Sequence, residues 1–109
     1  MEEISIEEFE RLDIRVGKVL KAERVPRSRK LIRLEVDLGE KGLRQLVAGI
    51  AGYYEPEELV GMNIVVLANL KPKKIMGIES RGMLLAADID GRPVLLTVAE
   101  DVPPGTKVR

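Results

Sequence analysis

The sequence predicts an all-β fold: a five-stranded barrel with a short N-terminal helix, a second short helix between strands three and four, and a C-terminal extension. Three observations carry this. The 109 residues are enough for one domain with a real core and too few for two, so residues 1–109 are read as a single domain. Alternation with period two dominates the chain from Asp13 onward, most cleanly where Ile32, Leu34, Val36 and Leu38 face one way and Arg33, Glu35 and Asp37 the other. Turn signals, among them Gly39-Glu40-Lys41-Gly42 and Asp90-Gly91, separate the alternating runs.

Ser5-Ile6-Glu7-Glu8 has the form of a capping box, and Ile6, Phe9 and Leu12 recur behind it at helical spacing, so an amphipathic helix opens the chain. A long first strand runs from Asp13 to about Val25, with Gly17 placed to let it bulge or bend. Pro26 stops it, and Arg27-Ser28-Arg29-Lys30 forms a polar loop before the second strand. Leu43 to Ile50 returns as the third. Pro56-Glu57-Glu58-Leu59 reads as a helical turn, with proline at its start and acids near its positive end. Met62 to Asn69 is an apolar run suited to a strand buried on both sides. Lys71 to Gly77 is expected as a loop, Gly82 to Ile89 as a fifth strand, and Pro93 to Val98 as the return of its hairpin. Val102 to Val108 is a turn and a last extended piece. Five strands with a helix between the third and fourth is the order of a partly open Greek-key oligonucleotide/oligosaccharide-binding (OB) barrel.

With 45% hydrophobic and 33% charged residues, the composition suits a folded chain with a heavily charged surface and argues against disorder. The absence of Cys and His removes disulfides, thiolate or imidazole metal sites, and every Ser-His or Cys-His pair. No phosphate-cradling G-x-x-x-x-G-K-[ST] occurs, and the strand carboxylates alternate outward as solvated residues do. No catalysis, cofactor or metal is therefore expected. The start lacks the basic and apolar regions of a signal peptide, and no stretch approaches the ~20 apolar residues of a membrane span, so a cytoplasmic address is expected. Abundant Glu, Lys and Arg beside one Gln and two Asn suggest a heat-adapted source.

Eighteen basic and eighteen acidic residues cancel overall, but not locally. Residues 11 to 33 hold nine bases against two acids, and residues 71 to 74 add three lysines, while acids gather in the first ten residues and at Glu55, Glu57 and Glu58. A basic side of this kind steers polyanions, although charge runs are also the ordinary solvated faces of strands. Phe9, Tyr53 and Tyr54 are few aromatics for a barrel that stacks bases, which points to phosphate contacts and shape.

Three blocks make the chain recognisable: Phe9-Glu10-Arg11-Leu12-Asp13-Ile14-Arg15-Val16-Gly17-Lys18-Val19, Arg44-Gln45-Leu46-Val47-Ala48-Gly49-Ile50, and the run from Asn69 through Lys71-Pro72-Lys73-Lys74-Ile75-Met76-Gly77 to Ala86. They closely resemble the tRNA-binding domain family, which is appended to many methionyl-tRNA synthetases and also occurs as free-standing structure-specific tRNA-binding proteins. The resemblance covers almost the whole chain, and its last block is highly specific. It implies an OB barrel that binds the general L-shape of tRNA, as a free-standing homodimer or a separate β subunit associated with methionyl-tRNA synthetase. Where relatives often carry His-Pro-x-Ala-Asp-Lys-Leu, this chain reads Val25-Pro26-Arg27-Ser28-Arg29-Lys30-Leu31, so a role for that His does not carry over. Position 81, often Glu in relatives, is Arg81 here, which strengthens attraction for phosphate.

Phosphate binding needs long cationic donors, so the expected tRNA site comprises Lys71, Lys73, Lys74 and Arg81, with Asn69 and Ser80 as short partners and Lys18, Arg27, Arg29, Lys30 and Arg33 extending the surface. Turn and strand-end chemistry explains Asn69 and Ser80 equally well. Pro72, Met76 and Met83 are read as loop anchors, and Tyr53 and Tyr54 as helix-to-barrel packing. Ile4, Ile6, Phe9 and Leu12 give the first helix an apolar face for a symmetric dimer interface shared with the C-terminal extension, as free-standing relatives use theirs. The alternative is that both segments plug a monomeric barrel. A secretion-associated bacterial chaperone resembles the same fold and dimer, and keeps a peptide-binding function open.

Overall fold

Ser5 begins the first element as the sequence predicts. In the computed structural model, which describes all residues 1–109, its hydroxyl accepts the Glu8 N–H at 3.1 Å and the Glu8 carboxylate accepts the Ser5 N–H at 3.1 Å, capping α1 (Ile6–Glu10). α1 buries none of its residues. The elements that follow are β1 (Ile14–Arg24), β2 (Ile32–Asp37), a 3-10 turn (Gly39–Lys41), β3 (Leu43–Ala48), α2 (Pro56–Leu59) and β4 (Asn63–Leu67). After them come β5 (Lys73–Ile75), β6 (Ile78–Ser80), β7 (Met83–Leu84), β8 (Ala86–Ile89), β9 (Arg92–Leu95) and β10 (Lys107–Val108).

The main sheet runs β3-β2-β1-β4-β7 with every pairing antiparallel, and β1 is long enough to serve both ends of it. Its first half pairs β4 from Ile14↔Leu67 to Lys18↔Asn63, and its second half pairs β2 from Lys18↔Asp37 to Arg24↔Ile32. β10 pairs Ile14 and Arg15 on the edge that β4 leaves free. The β1–β2 register slips between Val19 and Lys21, which bends the sheet toward closure. Gly17, expected at the bulge, has another task. A Cβ there would collide with Val36 Cγ1 and lie 2.8 Å from Leu38 Cδ2, so its missing side chain lets β1 cross tightly over β2.

The seam between β3 and the segment entering β7 is stitched by one backbone hydrogen bond and two side chains. Arg81 N–H donates to Gln45 O at 2.9 Å, Val47 N–H to Ser80 Oγ at 3.0 Å, and Arg44 Nη1 to Ala68 O at 2.9 Å and Arg81 O at 3.3 Å. The barrel is thereby nearly closed. Its core takes Ile32, Leu34, Val36 and Leu38 from the strand with the cleanest alternation, joined by Leu46, Ile64, Val66, Leu84 and Leu59 of α2. Each such side chain contributes about 1.5–3 kcal/mol on full burial. Ile64, Val65 and Val66 are all buried, as expected of a strand covered on both faces.

Two expectations need correction. The loop at 71–77 is largely a hairpin, β5 against β6, turning at Met76 (φ 50°) and Gly77 (φ 80°), the positive pair that a type I′ turn requires. The fifth strand is broken at Leu85: β7 stays on β4, whereas β8 leaves the barrel to pair with β9 in a separate hairpin. The reason lies in what β8 offers, since Ala86, Ala87 and Asp88 give it little apolar surface to bury and all its residues are exposed. The hairpin turn at Asp90-Gly91 is as expected, with φ 50° and 89°.

Candidate nucleic-acid interface

The outer face of β1, β2 and β3 carries the cross-strand rows Lys21–Glu35–Gln45 and Glu23–Arg33–Val47, placed outward by the register slip and the pleat. Lys21, Glu23, Arg33, Glu35 and Gln45 line a groove of about 310 Å³. At one end it meets a smaller hollow of about 120 Å³ between Val25 and Pro26, Arg33, and Ile78 of β6. Gln45 Nε2 also donates to Glu79 O at 2.8 Å, so the β5–β6 hairpin stands beside the β1–β2 loop at the end of the groove. The two segments the sequence marked as basic are neighbours in space.

Seven of the eighteen bases are ion-paired: Arg15, Lys18, Arg24, Arg33, Lys41, Arg81 and Lys107. Arg27, Arg29 and Lys30 on the loop and Lys71, Lys73 and Lys74 on the hairpin are exposed and have no carboxylate partner. Arg33 pairs with Glu23 and reaches Gln45 Oε1 at 3.4 Å, and Arg81 lies 3.8 Å from Glu79. Such exposed pairs contribute at most about 1 kcal/mol, so either arginine can exchange its carboxylate for a phosphate at small cost. Lys18 is turned to Asp101 at 3.4 Å; the Asn63 amide, at 2.8 Å, and the Lys18 charge hold that carboxyl below its ordinary value.

Asn69 and Ser80 serve the scaffold. Asn69 accepts the Asp13 N–H at 2.9 Å and donates to Arg11 O at 2.7 Å, while buried Ser80 accepts from Val47 and donates to Gly82 O at 3.2 Å. Lys21 and Gln45 belong to the groove but were not among the expected site residues. Lys21 lies within the basic run, yet its facing depends on a register slip that alternation alone does not reveal.

At the end of the barrel where β10 joins β1, Asp13 receives Arg15 at 2.6 Å, Lys107 at 3.3 Å and Lys41 at 3.6 Å. Burial alone would raise its carboxyl, but the hydrogen bonds and charges of Arg15 and Lys107 prevail and hold it below the ordinary value. Both carboxyls with displaced titration are thus kept ionised, the wrong direction for a proton donor near neutral pH. Beside Asp13, Ile6, Phe9, Leu12 and Val108 line an opening of about 500 Å³, and Ile4, Leu12, Leu67 and Leu70 one of about 490 Å³. No helix is long and apolar enough to cross a membrane.

Residues 14–107 match the profile of the family described as "Putative tRNA binding domain". The chain belongs to this tRNA-binding domain family. The domain is 63% identical over 107 residues to a methionine–tRNA ligase of Archaeoglobus fulgidus, covering 98% of the chain and 16% of the ligase. It is 60% identical over 105 residues to that of Thermotoga maritima, covering 96% of the chain and 16% of the relative. It thus spans about a sixth of the length of these curated relatives. Among solved structures, the MetRS related protein from Pyrococcus horikoshii superposes with a TM-score of 0.93 at 44% identity, each chain covered at 100%. The chaperone CsaA from Bacillus anthracis gives 0.90 at 38% identity, with 99% of this chain and 100% of that one covered.

Proposed function

We propose that the domain is a non-catalytic, structure-specific tRNA-binding protein that grips the phosphate backbone of folded tRNA between the β1–β2 loop and the β5–β6 hairpin. One observation carries this: Arg27, Arg29, Lys30, Lys71, Lys73 and Lys74 stand exposed without carboxylate partners on two segments that approach each other, Val25 and Pro26 at the start of the loop bordering the same hollow as Ile78 of the hairpin. Cations at fixed spacing read the path of a phosphate backbone and carry no base code, so the domain recognises shape. It works in the cytoplasm as a homodimeric β subunit beside a methionyl-tRNA synthetase. The similarity to the ligases and to a MetRS related protein of the same span supports that assignment.

The test is a salt titration of total-tRNA binding by the Lys73→Ala/Lys74→Ala double variant. Two lost phosphate contacts lower the log–log slope by about two units and weaken binding without changing preference among tRNA species. Arg92→Ala, an exposed base without an ion-pair partner outside the motif, is the control and leaves both unchanged. Lys107 is unsuited to that purpose because its ammonium holds Asp13 and Leu12 O. Unaltered affinity and slope in the double variant would remove the hairpin from the site.

A second reading, a peptide-binding chaperone-like dimer, draws on the likeness to CsaA and on the exposed apolar side chains around α1. Unfolded polypeptide that displaces bound tRNA would favour it. Independence of the two ligands supports the RNA assignment, because none of the six exposed cations of the loop and hairpin borders the apolar openings.

A further inference from the structure

The structure separates two tyrosines that the sequence treats alike. Tyr54 packs against the core, and its hydroxyl accepts the Leu95 N–H at 3.1 Å. Tyr53 turns outward and is 52% exposed. Its ring borders an open basin of about 530 Å³ to which three loops contribute: Lys30 from the β1–β2 loop, Gly49, Ala51 and Gly52 from the connection between β3 and α2, and Gly91 from the β8–β9 turn.

The floor of this basin is open because it is glycine. A Cβ built at Gly52 or Gly91 meets nothing within 4 Å, and at Gly49 the nearest atom is Lys30 O at 4.0 Å, so side chains at these positions would fill space the protein leaves free. The walls are tied down. Ala51 N–H donates to Lys30 O at 3.0 Å, Tyr53 and Tyr54 N–H both donate to Ile50 O at 3.1 Å, and Gly91 N–H donates to Asp88 Oδ1 at 2.7 Å, which turns that carboxylate into its own hairpin. An exposed aromatic ring, three glycines and an ammonium without a carboxylate partner thus border one open basin.

We propose that this basin is a subsite for one unpaired nucleotide of the bound RNA, its base stacked on Tyr53 over the glycine floor and its phosphate on Lys30. The inference rests on the tRNA-binding reading and extends it: phosphates held by Arg27 and Arg29 lead the chain along the same loop to Lys30. A nucleotide inside a duplex cannot enter, because its base is already stacked between neighbours. A ring and a glycine floor read a π-face and no donor–acceptor pattern, so the subsite accepts any base.

The protein has no Trp, so its near-ultraviolet emission comes from Tyr53 and Tyr54, and stacking on Tyr53 quenches it. The experiment titrates the full chain with an RNA hairpin carrying a four-nucleotide unpaired 3′ tail, the same hairpin blunt-ended, and total tRNA. The tailed hairpin quenches and binds more tightly than the blunt one. Tyr53→Ala abolishes the quenching and weakens the tailed hairpin about ten-fold, to the level of the blunt one, whereas Tyr53→Phe keeps the affinity. Equal binding of both hairpins by the wild type, or Tyr53→Ala indistinguishable from wild type on the tailed hairpin while tRNA still binds, overturns the subsite and leaves the tRNA-binding reading standing. A wild type that binds none of the three RNAs overturns both.

Discussion

Asn69 illustrates how one side chain can sit inside a basic motif and serve a different end. Its amide accepts from Asp13 and donates to Arg11 O, clasping the end of β4 to the segment that leads into β1. Asn69→Ala therefore loses about 1–3 kcal/mol from two hydrogen bonds, read by denaturant unfolding, and keeps the salt slope of tRNA binding. A lower slope at unchanged stability would place Asn69 on the RNA. Short polar residues are the part of the site that sequence leaves ambiguous. Asn and Ser bond to backbone or ligand with the same groups, and the partners that decide the matter, Asp13 for Asn69 and Val47 for Ser80, lie 56 and 33 positions away. Long cations are easier: Arg27, Arg29, Lys30, Lys71, Lys73 and Lys74 stand exposed, as their charge requires.

At the scale of elements, α1 is a helix without a core to pack on. Ile4 and Ile6 remain 62% and 61% exposed, and the two apolar openings beside them are bordered by β10 and by the end of β4. A helix this short keeps its fold through packing, which its own protomer gives it sparingly. We expect a second copy to cover it, giving a mass of about twice the 12.1 kDa chain in light scattering at micromolar concentration. Ile6→Glu, at a position already exposed in the protomer, would then yield a folded monomer; a monomeric wild type refutes the interface. α1, β2, α2 and β4 were legible because each has a local cause: a capping box, strict alternation, proline at a helix start, an apolar run. The β5–β6 hairpin was not. Lys71-Pro72-Lys73-Lys74 has no alternation to read, and the turn depends on Met76 accepting a positive φ that favours other residues.

Across the whole molecule, the Asp13 carboxylate joins β1 through Arg15, the 3-10 turn through Lys41 and the tail strand through Lys107. Its folded-state carboxyl titrates below the ordinary 3.8, so the stabilisation it contributes is complete above that value and is lost as pH falls through the lower folded value. The difference in melting temperature between wild type and Asp13→Asn should accordingly be widest near neutral pH and should narrow below 3.8. A gap that persists unchanged into strong acid would mean that hydrogen-bond geometry, and not charge, holds the three segments. None of this hub was visible in the sequence, because charge runs name the sign of a region and not the partner of a residue.

The addition of β10 to the edge of β1 bears on how the chain reaches this structure. Asp13 and Lys107 meet across 94 positions, and an added Cβ at Gly105 would lie 3.0 Å from the Leu38 carbonyl carbon, so the final turn seats itself against the residue that leads from β2 into the 3-10 turn, far earlier in the chain. Pairings of such long sequence separation form late and slowly, since the loop entropy must be overcome before the contact rewards it. The start of β1 therefore keeps one edge open until β10 pairs with it, although the seam between β3 and the segment entering β7 closes the barrel without that strand.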